Sequence, residues 1–170
     1  MTLHFSKTLQ EALASIDFSD YHEFPVYEAE EVRTHIISDS VIERYGQAKW
    51  TIVDLLNEKY GTIMFHKFDL YNWLEKNKDD EVAYFLNEAG SNSLNYSQYL
   101  TPWRFHLWLG KKGFVIGIEQ KGKGFDAIKV NDEKIQEHQG GAFTFFRGCK
   151  GEVFFDNAED AKIVYFKLKF

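Results

Sequence analysis

The stretch of residues 103–119 constrains the fold more than any other part of the chain, because its two arms can be paired residue by residue. Lys111 and Lys112 suit the loop of a two-residue β-hairpin, since a glycine stands on either side of them. The antiparallel register that follows sets Leu109 against Phe114, Leu107 against Ile116 and Phe105 against Ile118. One face of the hairpin is therefore wholly apolar, and a slip of one residue would destroy that pattern.

The opposite face of the same hairpin mixes aromatic, imidazole and charged side chains. Its cross-strand pairs are Trp108 with Val115, His106 with Gly117, and Arg104 with Glu119. Such a patch could supply an anion anchor, a proton-transfer group and a carboxylate. The catalytic candidates are Arg104, His106 and Glu119, and the binding candidates are Trp108, Lys111, Lys112, Lys121 and Lys123. A salt-bridged sheet side exposed to solvent is the simpler interpretation, because cross-strand pairs of arginine and glutamate ordinarily stabilise sheets.

Residues 1–90 are predicted to be rich in helix. Ser6 suits the N-cap of a short amphipathic helix, and Gly46 and Gly61 bound the strongest helical pattern in the chain. Asp79 suits the cap of the last helix in this half. The predicted helices cover residues 6–17, 27–37, 47–60, 69–74 and 79–89, with a loop at 17–24. Residues 91–98 are rich in turn formers and are predicted to connect this half to the next.

Residues 101–170 are predicted to form antiparallel β structure. The clearest strand after the hairpin covers residues 162–170, where apolar and polar side chains alternate to the last residue. Further strands are predicted at residues 125–130, 142–147 and 152–156. Five to six strands with short connections indicate a meander sheet, and its apolar face requires the helical half as a cover. The expected fold class is α+β.

The composition favours one compact domain. A chain of 170 residues buries about 70% of its unfolded surface, so it folds without disulfides or metal. The single cysteine excludes an internal disulfide, and the first ten residues show no secretory signal, so the cytoplasm is the expected compartment. No apolar run reaches membrane-spanning length. The net charge of −6 disfavours nucleic acid as a partner.

Specific chemical motifs are weakly represented. None of the six histidines lies at a short ligand spacing from another, so no metal site is expected. Cys149 has a basic neighbour but no histidine or aspartate near it in sequence, which disfavours a nucleophilic thiol. The KGKG sequence at residues 121–124 lacks the spacing of a phosphate-binding loop. No cofactor is expected.

Two hypotheses about function remain. The leading one is a non-enzymatic binding or regulatory protein that recognises another macromolecule, most simply a protein. The alternative is an enzyme or a nucleic-acid-processing protein that acts on a phosphate-bearing substrate through the basic hairpin side around His106. A concave pocket lined by Arg104, His106 and Glu119 would favour the alternative. A flat arrangement of these side chains would favour recognition of another macromolecule. We expect His106 to be exposed, so that its replacement by alanine changes stability by less than about 1 kcal/mol.

Overall fold

The computed structural model of the chain describes residues 2–27, 39–64, 67–74, 80–89, 102–120, 122–137 and 141–170. Within these ranges, five α-helices and a five-stranded antiparallel sheet make an α+β fold, which confirms the predicted fold class. The connector predicted at residues 91–98 lies outside the described residues, as does most of the helix predicted at 27–37.

The predicted hairpin is confirmed in detail. Strands β2 (Arg104–Gly110) and β3 (Gly113–Glu119) pair in the predicted register along their whole length. The three apolar pairs are almost entirely buried on one face of the sheet, which we call the inner face. Arg104, His106 and Trp108 lie on the opposite face, which we call the outer face.

The sheet has the order β1-β2-β3-β5-β4, and every neighbouring pair is antiparallel. Strand β5 (Ile163–Lys169) lies between β3 and β4 (Glu152–Phe155), so the connectivity is not a plain meander. Strand β1 (Phe18–Pro25) was predicted as a loop, and that prediction is wrong. Because β1 lies at an edge and is largely exposed, its sequence lacks the apolar alternation of a half-buried strand.

The helices of the first half differ from their predicted bounds. Helix α1 (Leu9–Ser15) is capped by Thr8, not Ser6, in a capping box with Glu11. Helix α2 (Asp39–Tyr60) runs through Gly46 without a break. A 3₁₀ helix at Leu70–Leu74 follows, and α3 (Glu81–Tyr84) continues into a π-helical turn at Phe85–Ala89.

Two segments that were predicted as strands are helices, α4 (Ala127–Gln136) and α5 (Ala142–Gly148). The carboxylate of Asp126 accepts a hydrogen bond from the Lys129 amide, which caps α4 and outweighs the strand-like pattern at residues 125–130. In α5, Phe143 and Phe146 are three residues apart and buried together, so a helix buries the aromatic run as well as a strand would.

The two faces of the sheet are covered by different elements. Buried side chains of α2, the π turn and α5 pack on the inner face, among them Ile52, Phe85 and Phe146. The short helix α1 covers part of the outer face, where the buried side chains of Ala12 in the helix and of its C-cap Ile16 pack in a second cluster. The sheet residues of that second cluster are Trp108, Val115, Phe154 and Tyr165. The remainder of the outer face carries the candidate catalytic residues.

Candidate functional site

The structure brings the three catalytic candidates together on the outer face. Arg104 and His106 come from β2, and Glu119 comes from the facing end of β3. Strand β1 adds Tyr21 and Glu23, because Glu23 pairs with His106 and Tyr21 pairs with Trp108. We call Tyr21, Glu23, Arg104, His106 and Glu119 the polar cluster.

His106 is held by hydrogen bonds at both ring nitrogens. Its Nε2 lies 2.7 Å from Oε2 of Glu119, and its Nδ1 lies 2.6 Å from the hydroxyl oxygen of Tyr21. A carboxylate only accepts hydrogen bonds, so Nε2 carries a proton and donates it to Glu119. In the neutral ring, Nδ1 then accepts from the Tyr21 hydroxyl. His106 is 8% exposed, so the expectation of an exposed imidazole without structural partners is wrong.

Arg104 lies between two carboxylates. Its guanidinium donates to Glu23, and its Nε lies 3.5 Å from Oε2 of Glu119. The guanidinium carbon also lies 4.3 Å from the centre of the Trp103 ring, within the range of a cation–π contact. One cation between two anions leaves little positive potential, which disfavours Arg104 as an anchor for phosphate.

Tyr21 is the most exposed aromatic ring in the polar cluster, at 43%. Partial burial of its hydroxyl raises the pKa of Tyr21, and the negative charge of Glu23 raises that pKa further. The hydroxyl therefore stays protonated at neutral pH and serves as a hydrogen-bond donor. A tyrosine held in this form does not act as a nucleophile.

The binding candidates are scattered. Trp108 is buried, with its ring centre 5.4 Å from that of His106, so its indole does not form a contact surface. Lys111 and Lys112 are exposed in the hairpin loop, where Lys112 pairs with Asp17 at 3.1 Å. Lys111 lies five positions after His106 along the chain, which corresponds to about 17 Å of extended strand. Lys123 is exposed elsewhere, and Lys121 lies outside the described residues.

Sequence reasoning missed the two members of the polar cluster that come from β1. Tyr21 and Glu23 lie more than 80 positions before their partners, and their strand was predicted as a loop. The aromatic residues of the segment FSDYHEFP and its terminal Pro25 were the available signal, because aromatics favour strands and proline is tolerated at edges.

Other reactive groups are structurally engaged. Burial raises the pKa of the Cys149 thiol to about 11, and the sulfur lies 3.3 Å from the carbonyl oxygen of Gly151, to which it donates. This environment disfavours a thiolate nucleophile. Across the part of the chain that the structure describes, no group of three or more His, Cys, Asp or Glu side chains could hold a metal ion.

A second candidate site lies at the outer edge of β1. In the described sheet, β2 is the only strand paired with β1. The Val26 amide donates to the Trp103 carbonyl at 2.8 Å, which fixes the alternation of hydrogen-bonded pairs along the two strands. The backbone N–H and C=O groups of Tyr21 and Glu23 consequently point away from β2. Pro25, which has no N–H, takes the next outward position, as expected at an edge.

Helix α2 runs alongside this edge. Arg44 Nε donates to the Val26 carbonyl at 2.7 Å near the start of the helix. At the other end, the Tyr60 hydroxyl donates to the carbonyl of Gly110, the partner of Phe18 in the sheet, also at 2.7 Å. A cavity of about 240 Å³ lies between the two elements. It is lined by Phe24, Pro25, Arg44, Gln47, Ala48 and Thr51. We call the space between β1 and α2 the edge groove.

Comparison of the chain with protein-family models, with curated proteins and with solved structures gives no match. Among helices in the described ranges, none has the length and apolarity needed to cross a bilayer. A function for this chain therefore has to be inferred from the geometry of its two candidate sites.

Proposed function

We propose that this chain is a non-enzymatic binding protein that recognises another protein by adding a strand of the partner to β1. The observation that carries the proposal is the outward-facing backbone of Tyr21 and Glu23 beside the edge groove. Strand addition uses outward-facing N–H and C=O groups of an edge strand for affinity, and it uses a neighbouring groove for side chains.

The exposed aromatic rings on β1 support the same proposal. Phe18 and Tyr21 are 44% and 43% exposed on a single strand. Aromatic side chains are enriched in protein interfaces, because they bury a large area at a small cost in conformational entropy. The polar cluster fixes β1 to β2, since Glu23 binds Arg104 and Tyr21 binds His106. A strand held in this way is preorganised for a partner.

A random peptide library, displayed on phage and selected against the purified chain, tests this proposal. Thr51 is exposed and lines the edge groove, so Thr51→Trp should fill the groove and abolish binding of the selected peptides. Lys129→Trp places the same ring on the exposed side of α4 and is the matched control. Peptides that bind both variants as well as the wild type would place recognition elsewhere and contradict the proposal.

The enzyme hypothesis is a second proposal, and the chain of hydrogen bonds from Tyr21 through His106 to Glu119 supports it. This arrangement can pass a proton along its length, and the exposed ring of Tyr21 is its contact with solvent. Tyr21→Phe breaks that chain at the hydroxyl while keeping the ring. Hydrolysis of a panel of phosphate esters by the wild type, lost in Tyr21→Phe, would favour this proposal over strand addition.

A further inference from the structure

We infer that the edge groove takes an extended segment of a partner protein that carries lysine or arginine side chains. This inference rests on the proposed function, because it names the chemistry of the partner that β1 would recognise. It is carried by the charges along the two walls of the groove.

The α2 wall of the groove is acidic. Glu43, Gln47, Thr51, Asp54 and Glu58 are exposed and recur three or four residues apart, so they form one stripe along the helix. Gln47 and Thr51 line the cavity directly, which places this part of the stripe against β1. Glu43 lies beside the cavity, since its carboxylate accepts a hydrogen bond from Gln47 Nε2 at 3.3 Å.

The β1 wall adds negative charge. Asp20 is exposed on the side of β1 that faces α2, and its charge raises the pKa of Tyr60 at the end of that helix, where burial is the main cause of the increase. Arg44 is the cation among the cavity residues, and its Nε is bonded to the Val26 carbonyl. The stripe of α2 and Asp20 of β1 together carry four exposed carboxylates, from Asp20, Glu43, Asp54 and Glu58, outside the cavity that Arg44 lines. Basic side chains complement such a wall.

The length of the acidic stripe on α2 fits a short strand. Glu43 and Glu58 are fifteen positions apart in the helix, which corresponds to about 22 Å. An extended segment of about seven residues covers this distance, and every second side chain faces the same way. Basic residues at alternate positions would thus meet the acidic stripe, while the backbone pairs with Tyr21 and Glu23.

A second copy of this chain is a poorer occupant of the same edge. Antiparallel pairing of β1 with β1 of a second copy, centred on Glu23, would set Glu23 of one strand directly against Glu23 of the other. Facing like charges destabilise a strand pair. The hydroxyl and amide side chains of Thr51 and Gln47 also suit a polar segment better than an apolar one.

Fluorescence anisotropy with two labelled heptapeptides tests the inference on the full chain. The probes are Lys-Val-Lys-Val-Lys-Val-Thr and its counterpart with glutamate at each lysine. We expect the basic probe to bind the wild type at least about tenfold more tightly, since two or three partly exposed ion pairs account for that ratio. Equal binding of the two probes, or tighter binding of the acidic one, would overturn the inference.

Charge-reversal variants test whether the basic probe binds at the acidic stripe of α2. The double variant Glu43→Lys/Glu58→Lys should weaken the basic probe by about tenfold or more. The double variant Asp132→Lys/Glu133→Lys makes the same change of net charge at exposed positions of α4. It should weaken binding of the basic probe by less than about threefold. Equal losses in the two double variants would show non-specific attraction only and would overturn the inference. Dimerisation through β1 in place of probe binding, detected by light scattering, would also overturn it.

The failure of this inference can be distinguished from failure of the proposed function. If displayed peptides that lose binding to Thr51→Trp are neutral or acidic, strand addition stands and the basic partner is wrong. If no peptide depends on Thr51, the proposed function itself is wrong. Circular dichroism of each variant confirms that the helices and sheet are retained.

Discussion

Gly117 shows how one residue organises the outer face. A Cβ atom at this position would lie 3.1 Å from Cζ3 of Trp108 and 3.3 Å from Cδ1 of Tyr165, which is closer than most Cβ contacts. The missing side chain lets the two rings pack over the strand beside His106. The sequence placed Gly117 opposite His106, but no local pattern indicated that β5 pairs with β3 and brings Tyr165 opposite Gly117.

Replacement of Gly117 by alanine should destabilise the protein. The added methyl group forces the rings of Trp108 and Tyr165 apart, and overpacking of this kind costs about 1–3 kcal/mol. Gly46→Ala is the matched control, because a Cβ at Gly46 meets nothing within 4 Å inside helix α2. That control should stabilise by about 0.4–1 kcal/mol. Urea denaturation measures both, and a stabilised Gly117→Ala variant would contradict this packing.

His106→Ala should also destabilise, contrary to what an exposed imidazole would do. Its removal leaves the Tyr21 hydroxyl and the Glu119 carboxylate without their shared partner in a half-buried site, at a cost of about 1–3 kcal/mol. Lys111→Ala, at an exposed loop position, should stay within about 0.5 kcal/mol of the wild type. Identical denaturation midpoints for His106→Ala and the wild type would show that the polar cluster contributes nothing to stability.

At the level of elements, strand β5 holds the sheet together. It pairs with β3 on one side and β4 on the other, and its neighbour Phe170 donates its amide to the Lys112 carbonyl at 2.9 Å. The alternation in residues 162–170 identified this strand from sequence, because both of its faces are defined by local pattern. Edge strand β1 had no such pattern, since most of its side chains face solvent.

Deletion of residues 167–170 should prevent stable folding. The truncation removes the pairing of β5 with Gly113, Phe114 and Val115, and it removes the ring of Phe170, whose centre lies 4.9 Å from that of Tyr60. Lys169→Ala, an exposed change within the same segment, should leave the melting temperature nearly unchanged. A soluble truncated chain with the melting temperature of the full chain, followed by circular dichroism, would refute the role of β5.

Helix α1 and the residues before it are tied to the sheet by a charged cluster. Burial opposes ionisation of Glu152, but hydrogen bonds from Lys7 and Lys167 outweigh it and hold the pKa of this carboxyl below its ordinary value of 4.5. Lys167 also donates to the hydroxyl of Ser15 in α1, at 3.1 Å. The folded state therefore favours the ionised carboxylate of Glu152.

The stability of the wild type should depend on Glu152 in acid. A carboxyl with a lowered pKa stabilises the folded state at pH above its unfolded value of 4.5, and this stability is lost as the pH falls through the folded pKa. Glu152→Gln should remove that part of the dependence, so the two proteins should differ most near neutral pH and converge in acid. Melting temperatures of both proteins from pH 2 to 7 measure this difference in stability. A constant difference across that range would show that ionisation of Glu152 does not cause it.

At the scale of the whole molecule, cross-strand pairs close in sequence were predictable and distant ones were not. The hairpin register placed Arg104, His106 and Glu119 together from sequence alone. Tyr21 and Glu23 join them only because β1 reaches across from the other half of the chain. Helices α4 and α5 were missed because β-branched and aromatic residues favour strands, whereas the cap at Asp126 and the tertiary packing of Phe143 and Phe146 favour helix.

Part of the acidic excess in the first hundred residues lies on one exposed surface. Residues 1–100 carry 17 acidic and 8 basic side chains, and part of that excess forms the exposed stripe of α2 beside β1. The lysines of the hairpin loop lie about 17 Å along the strand from His106. The acidic stripe thus lies beside the edge of β1 that faces away from the described sheet, whereas the basic side chains of the hairpin loop do not converge on the polar cluster.

Amide hydrogen exchange, resolved by residue with NMR, tests strand addition at β1 most directly. The amides of Tyr21 and Glu23 point outward and should exchange rapidly in the free chain, whereas that of His22, which faces β2, should be protected. Saturation with a peptide selected for binding should slow exchange at Tyr21 and Glu23 by at least about tenfold and leave His22 nearly unchanged. Saturated binding with unaltered exchange at Tyr21 and Glu23 would contradict recognition through this edge.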